Sequence, residues 1–196
     1  TGSVTRIERW RKLGFDALAI DYRGFGRSTD VSPTESLAYE DAQAAWDFLG
    51  RAEPGRPRII VGHSLGGAIA AELAVRQPEA AGVVLEAPFT SSRDMVEGTA
   101  WRLLPVGLIL TQEFDTLAKV PRIRSPLLIV HGTRDAIVPY EMGERLFSAA
   151  TAPARRFIRV EGGSHHNLSS VAFEQYRAAV RELFRLPRSL EVSAPS

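Results

Sequence analysis

The residues best suited to do chemistry sit in one short turn, Gly62-His63-Ser64-Leu65-Gly66-Gly67. The apolar β-branched run Ile59-Ile60-Val61 precedes it, and a stretch that reads as helix, Ala68 to Arg76, follows. A serine between two glycines at a strand-to-helix corner has the pattern of a nucleophile elbow. So tight a corner holds the serine in a strained backbone conformation and lifts its hydroxyl clear of the sheet. Gly62 and Gly66 lack Cβ and are expected to let strand and helix approach closely on either side. The helix behind Ser64 directs its first N–H groups and positive dipole end at the hydroxyl, where an oxyanion would be stabilised.

A serine hydroxyl is a weak nucleophile until a base takes its proton. Histidine can do so near neutral pH, and a buried carboxylate can hold its ring in the right tautomer. His165 and His166 both follow the glycine-rich turn Gly162-Gly163-Ser164, and either could serve. His63 adjoins the serine, but neighbours on a tight turn point apart; His131 ends an apolar run. Both read as packing residues. Asp135 lies in Gly132-Thr133-Arg134-Asp135, directly after that run. It suits an orienting carboxylate, and a plain turn cap is the alternative. Glu86 is a rival acid. Asp21 and Arg23 are expected to brace the loop beside the elbow, and Asp94 and Asp115 to be solvated or capping. Phe25, Phe89, Met95, Trp101 and Leu104, with His63 and His166, are candidates for lining an acyl pocket or for ordinary packing. No pair of histidines has metal-ligand spacing with a carboxylate, so neither metal nor cofactor is expected.

These residues need a frame. Apolar runs at 15–20, 58–61, 81–85, 126–131 and 155–160 predict strands, and periodic stretches at 4–13, 33–49, 68–76, 139–150 and 168–184 predict helices. Ser32 before Pro33 fits an N-cap and first-turn proline. Leu37, Asp41/Ala42, Ala45, Phe48 and Leu49 would form the core face of the helix at 33–49. Phe173, Tyr176, Val180, Leu183 and Phe184 would share one side of the last helix. Alternating strands and helices imply a mostly parallel sheet with helices on both faces. Ser64, Asp135 and His165 each follow a predicted strand, so all three could converge on its carboxyl edge. One domain is expected over 1–196, with core segments 1–87 and 126–186 and a small helical lid inserted at 88–125.

Composition narrows the partners. The 196 residues carry 24 basic side chains, 22 of them arginine, against 23 acidic ones, with no basic stripe. Nucleic acid is therefore not an expected partner. There is no cysteine, hence no disulfide framework or thiolate nucleophile. The apolar stretch Leu103 to Leu110 is broken by Pro105 and Gly107 and is too short to span a bilayer. A cytoplasmic location is the default, with an N-terminal anchor ahead of Thr1 left open.

With DYRGFGRS at 21–28, GHSLGG at 62–67, EAPF at 86–89, HGTRDAIVP at 131–139 and GGSHHN at 162–167, the chain resembles the α/β-hydrolase family over Val4 to Phe184. Within it, the nearest resemblance is to small-lid serine hydrolases of acyl-protein thioesterase-like and bacterial carboxylesterase-like kind. The resemblance implies an order nucleophile, acid, histidine, met by Ser64, Asp135 and His165; the family pattern Gly-x-x-His selects His165 over His166. It also implies a Leu65 N–H oxyanion donor and a small-molecule or acyl-protein ester or thioester substrate. A serine peptidase would use the same residues, and a dehalogenase would need aspartate in place of Ser64. The family's strand and His-Gly loop before the first helix have no counterpart here. The expectation is an N-terminally truncated chain whose strand at 15–20 either lacks its neighbour or pairs directly with 58–61. A catalytically inert fragment or a non-catalytic binding protein on the same fold is the alternative.

Overall fold

The structure, a computed structural model, describes residues 2–97 and 112–184. Four parallel strands form one sheet in sequential order: β1 Ile59–His63, β2 Gly82–Glu86, β3 Leu127–Gly132 and β4 Arg155–Val160. Their registers align Val61 with Val84, Leu85 with Ile129, and Val130 with Ile158. Before, between and after them run α1 Gly2–Lys12, α2 Glu35–Ala52, α3 Leu65–Arg76, α4 Ser92–Glu97, α5 Thr116–Lys119, α6 Tyr140–Ala149, α7 Leu168–Val171 and α8 Phe173–Phe184. The expected last helix is thus two, divided at Ala172.

Successive strand residues point to opposite faces, and the core divides accordingly. Val83, Leu85, Leu127 and Ile129 meet α2, α3 and α6 through Trp46, Ile69, Met142 and Leu146. Val84, Leu128, Val130 and Ile158 meet α1 and α8 through Trp10, Tyr176, Val180 and Phe184. The central strands β2 and β3 are buried at every position. Each such Val, Leu or Ile contributes roughly 1.5–3 kcal/mol of apolar burial.

Three local expectations are corrected. Residues 15–20 form no strand: among the described residues nothing pairs with the outer edge of β1, so 15–20 gains no ladder partner and β1 is paired on its β2 side alone. Leu18, Ile20 and Val61 consequently stay exposed, and Leu18 and Ile20 with Phe48 flank an open groove of about 290 Å³. α2 is capped by Thr34, whose hydroxyl accepts from Leu37 N at 3.2 Å, not by Ser32. Its core face is Ala38, Tyr39, Ala42 and Trp46, set by packing on α3, which leaves Phe48 over half exposed.

The described ends of the 88–125 segment pack into the core. Phe89, Met95, Phe114, Val120 and Ile123 are buried with the α3 side of the sheet. Trp101 and Leu104 lie outside the described residues. Glu35, in the first turn of α2, receives the returning chain. It accepts from Glu113 N and Phe114 N at 3.1 Å, and also from the Tyr39 hydroxyl and Lys119 Nζ. Burial works to raise its pKa, but the Tyr39, Phe114 and Lys119 contacts outweigh it and lower the net value. A carboxylate lowered on folding contributes stability above its unfolded pKa of about 4.3 and loses it as pH falls through the folded value. Glu35→Gln is therefore expected to cost about 1.5–3 kcal/mol at pH 7. It should also flatten the acid limb of a stability–pH curve below about pH 4; urea melts at stepped pH values measure both.

Candidate functional site

Ser64 closes β1 and opens α3 with φ 55 and ψ −120, one of three non-glycine residues at positive φ among those described. That backbone is disfavoured for an L side chain and persists because both flanking elements are pinned. The Ser64 N–H donates to Glu86 O at 2.9 Å, and Ser64 O accepts from Gly67 N at 2.8 Å. Ser64 Oγ is buried and makes no hydrogen bond.

The two motif glycines do different work. A Cβ at Gly62 would lie 2.1 Å from Gly66 O and 2.6 Å from Ala70 Cβ, so β1 and α3 touch only because that position is bare. A Cβ at Gly66 meets nothing within 4 Å, so the expected close approach there is absent. Gly62→Ala should cost about 3 kcal/mol or more, since the obstacle is backbone. That corresponds to a thermal midpoint lowered by roughly 6–12 °C. Gly66→Ala, inside α3, should gain about 0.5–1 kcal/mol. Circular-dichroism melts of the two variants separate these roles.

Asp135 follows β3 with its side chain sealed from solvent. Its Oδ1 accepts from Ile137 N and Val138 N, both at 2.9 Å, and its Oδ2 from His165 Nδ1 at 2.8 Å. Burial works to raise its pKa; hydrogen bonds from His131, His165 and Val138 N–H outweigh it and hold the carboxyl well below the usual carboxylate range. His165, behind β4, is also buried. With its Nδ1–H given to the carboxylate, its lone pair is on Nε2.

His131 has a role beyond generic packing. It is fully buried, its Nε2–H donates to Val138 O at 3.0 Å, and the same nitrogen lies 3.4 Å from Asp135 Oδ2. It sits against the acid and supports the loop that carries it. Its place four residues before Asp135 was the only signal in the sequence.

The rival acids are otherwise engaged. Glu86 is buried, with Arg6 Nε at 2.8 Å and the Tyr176 hydroxyl at 2.6 Å. Asp94 pairs with Thr90 and Arg145, and Asp115 caps α5 through Ala118 N. Asp21 accepts from Arg27 N, and Arg23 grips Asp41 and Glu40. Of the pocket candidates, Phe89 and Met95 are wholly buried and Phe25 packs against the same core. His63 Nε2–H donates to His165 O at 2.7 Å. Burial, then the Arg6 charge, push its pKa down to about 3.

The three imidazoles of His63, His165 and His166 meet at the end of β1, where His63 directly precedes Ser64. Ring centroids of His63 and His165 are 4.7 Å apart, and those of His165 and His166 are 5.0 Å apart. One ring nitrogen from each lies within 4.8 Å of the others. Spacing along the chain did not disclose this group, because it is assembled across 102 residues.

A family profile described as serine aminopeptidase, S33 matches residues 5–112, more than half of the chain. An uncharacterized protein of Mycobacterium tuberculosis is 36% identical over 157 residues, covering 79% of this chain and 54% of that protein. The lysophosphatidylserine lipase ABHD12 of Macaca fascicularis is 32% identical over 177 residues, covering 80% and 44%. The chain thus spans about half the length of the curated relatives it matches. An esterase domain from Rhodothermus marinus shares the fold at TM-score 0.68 and 24% identity, over 93% of this chain and 81% of that one. A monoacylglycerol lipase from Paleococcus ferrophilus does so at TM-score 0.69 and 19% identity, over 92% and 87%. Among the described residues no helix is long and apolar enough to cross a membrane. With the profile match spanning the elbow, the chain belongs to the serine aminopeptidase S33 family of α/β hydrolases.

Proposed function

We propose that the chain is a serine hydrolase that cleaves carboxylic esters or thioesters through an acyl-enzyme, with Ser64 as nucleophile, His165 as base and Asp135 as orienting acid. The contact that carries this reading is His165 Nδ1 to the sealed Asp135 carboxylate at 2.8 Å, with the His165 ring against His63, the residue before the strained serine. In the first step Ser64 Oγ bonds to the substrate carbonyl carbon and its proton passes to His165 Nε2. Asp135 stabilises the imidazolium, and the carbonyl oxygen becomes an oxyanion at the N-terminus of α3. There the Leu65 N–H, which has no acceptor within its own helix, is placed to donate. Collapse breaks the ester bond, and the alcohol or thiol leaves with the proton from His165. Water, deprotonated by the same imidazole, then releases the acid and restores Ser64.

Relatives described as lipases and esterases favour an ester carrying a lipid-like acyl chain. Their sharing of the fold with a family described as aminopeptidases makes an amide the second substrate to try. The test is incubation with a fluorophosphonate probe, then turnover of p-nitrophenyl esters of increasing chain length and of aminoacyl p-nitroanilides. Stoichiometric labelling at Ser64 with ester turnover is expected. A chain that is not labelled and turns over neither class sinks the reading in favour of a non-catalytic protein.

A further inference from the structure

We propose that His63, His165 and His166 form a site for a borderline divalent ion of the zinc class, and that occupation of the site competes with Ser64 for His165. The competition rests on the catalytic reading above; the site itself rests on geometry. The three residues converge from the end of β1 and the loop behind β4, with one ring nitrogen of each within 4.8 Å of the others. Imidazole nitrogens are the natural donors for zinc, copper(II) and nickel(II).

The hydrogen bonds already present leave suitable lone pairs. His63 donates Nε2–H to His165 O, so its bare nitrogen is Nδ1. His165 donates Nδ1–H to Asp135, so its bare nitrogen is Nε2. An ion bound through those two nitrogens breaks neither bond. Asp135 would then support the ligand from behind, as carboxylates do for metal-bound histidines. Tetrahedral zinc holds its nitrogens at about 2.0–2.1 Å, hence roughly 3.4 Å from one another. Closing from 4.8 Å takes ring rotation, and His166, exposed where His165 is buried, can supply it. A fourth position remains for water.

The consequence follows from one atom. Nε2 of His165 can hold the ion or receive the serine proton, never both. Metal occupation therefore acts as a reversible brake on Ser64, and chelation releases it.

Calorimetric titration of the chain with ZnCl2, in a non-chelating buffer near pH 7.5, is the first measurement. One ion per chain is expected. His166→Ala, a surface change whose folding is checked by circular dichroism, should weaken binding by ~10-fold or more, the scale of losing even a supporting partner. The second measurement is fluorophosphonate labelling with and without saturating Zn²⁺. Slowed labelling that EDTA restores is expected in the wild type, with the slowing largely lost in His166→Ala at the same Zn²⁺ concentration. Equal zinc affinity in both proteins overturns the site; zinc bound through His166 without slowed labelling overturns the competition. A chain that binds zinc through His166 but is never labelled keeps the site and sinks the hydrolase reading instead.

Discussion

Ser64→Ala is expected to remove fluorophosphonate labelling altogether and to lower ester turnover by up to ~10⁶-fold, the scale of losing a triad nucleophile. The same variant should melt no lower than the wild type. Ser64 Oγ is buried without a hydrogen-bond partner, a condition that costs about 1–3 kcal/mol in a folded chain. Removing the oxygen removes that cost, while alanine inherits the same strained φ. Thermal melting should therefore shift upward by a few degrees at most, as activity vanishes. Persistent labelling of the alanine variant would place the nucleophile elsewhere; a collapsed melting curve would mean that the hydroxyl has a structural partner.

Asp135→Asn should lower turnover by about 10⁴-fold with the fold intact. Asparagine can keep its carbonyl oxygen on Ile137 N and Val138 N, so the loop after β3 retains the two bonds that shape it. What changes is the face toward His165. An amide NH2 there cannot accept from Nδ1, so the ring adopts the tautomer with its proton on Nε2 and has no lone pair for Ser64. Steady-state hydrolysis of a p-nitrophenyl ester, with a thermal melt as control, measures both halves. Turnover within tenfold of the wild type would remove Asp135 from the proposed machinery and return it to the role of a turn cap.

The strands that carry the site were readable because each is a short β-branched run ending in a residue with chemistry. Val61 leads to Ser64, and Val130 leads to Asp135, in a sheet whose central strands are buried at every position. The run at 15–20 is also largely apolar and yet forms no strand. Strand propensity expresses the fit of a side chain to a paired, half-buried surface, and no such surface adjoins Phe15 to Ile20 among the described residues. The face of α2 was misjudged for a similar reason. Phe48 is apolar enough for a core, but Trp46 and Ala42 determine which side meets α3. At the site, position just after a strand pointed to Ser64, Asp135 and the pair His165 and His166, and the family resemblance chose His165. Both were silent on His131 beside the acid and on the meeting of three imidazoles, since those depend on how strand ends line up after folding.

The peptide of Glu86 faces two ways. Its carbonyl accepts the Ser64 N–H, while its carboxylate is clasped by Arg6 of α1 and Tyr176 of α8 on the far layer. The attitude of the Ser64 corner is thus anchored by side chains of α1 and α8. Small adjustments in α1 and α8 have a short, stiff route to the Ser64 backbone, and through it to the oxygen proposed to attack, so that selection can tune one layer of the fold from the other.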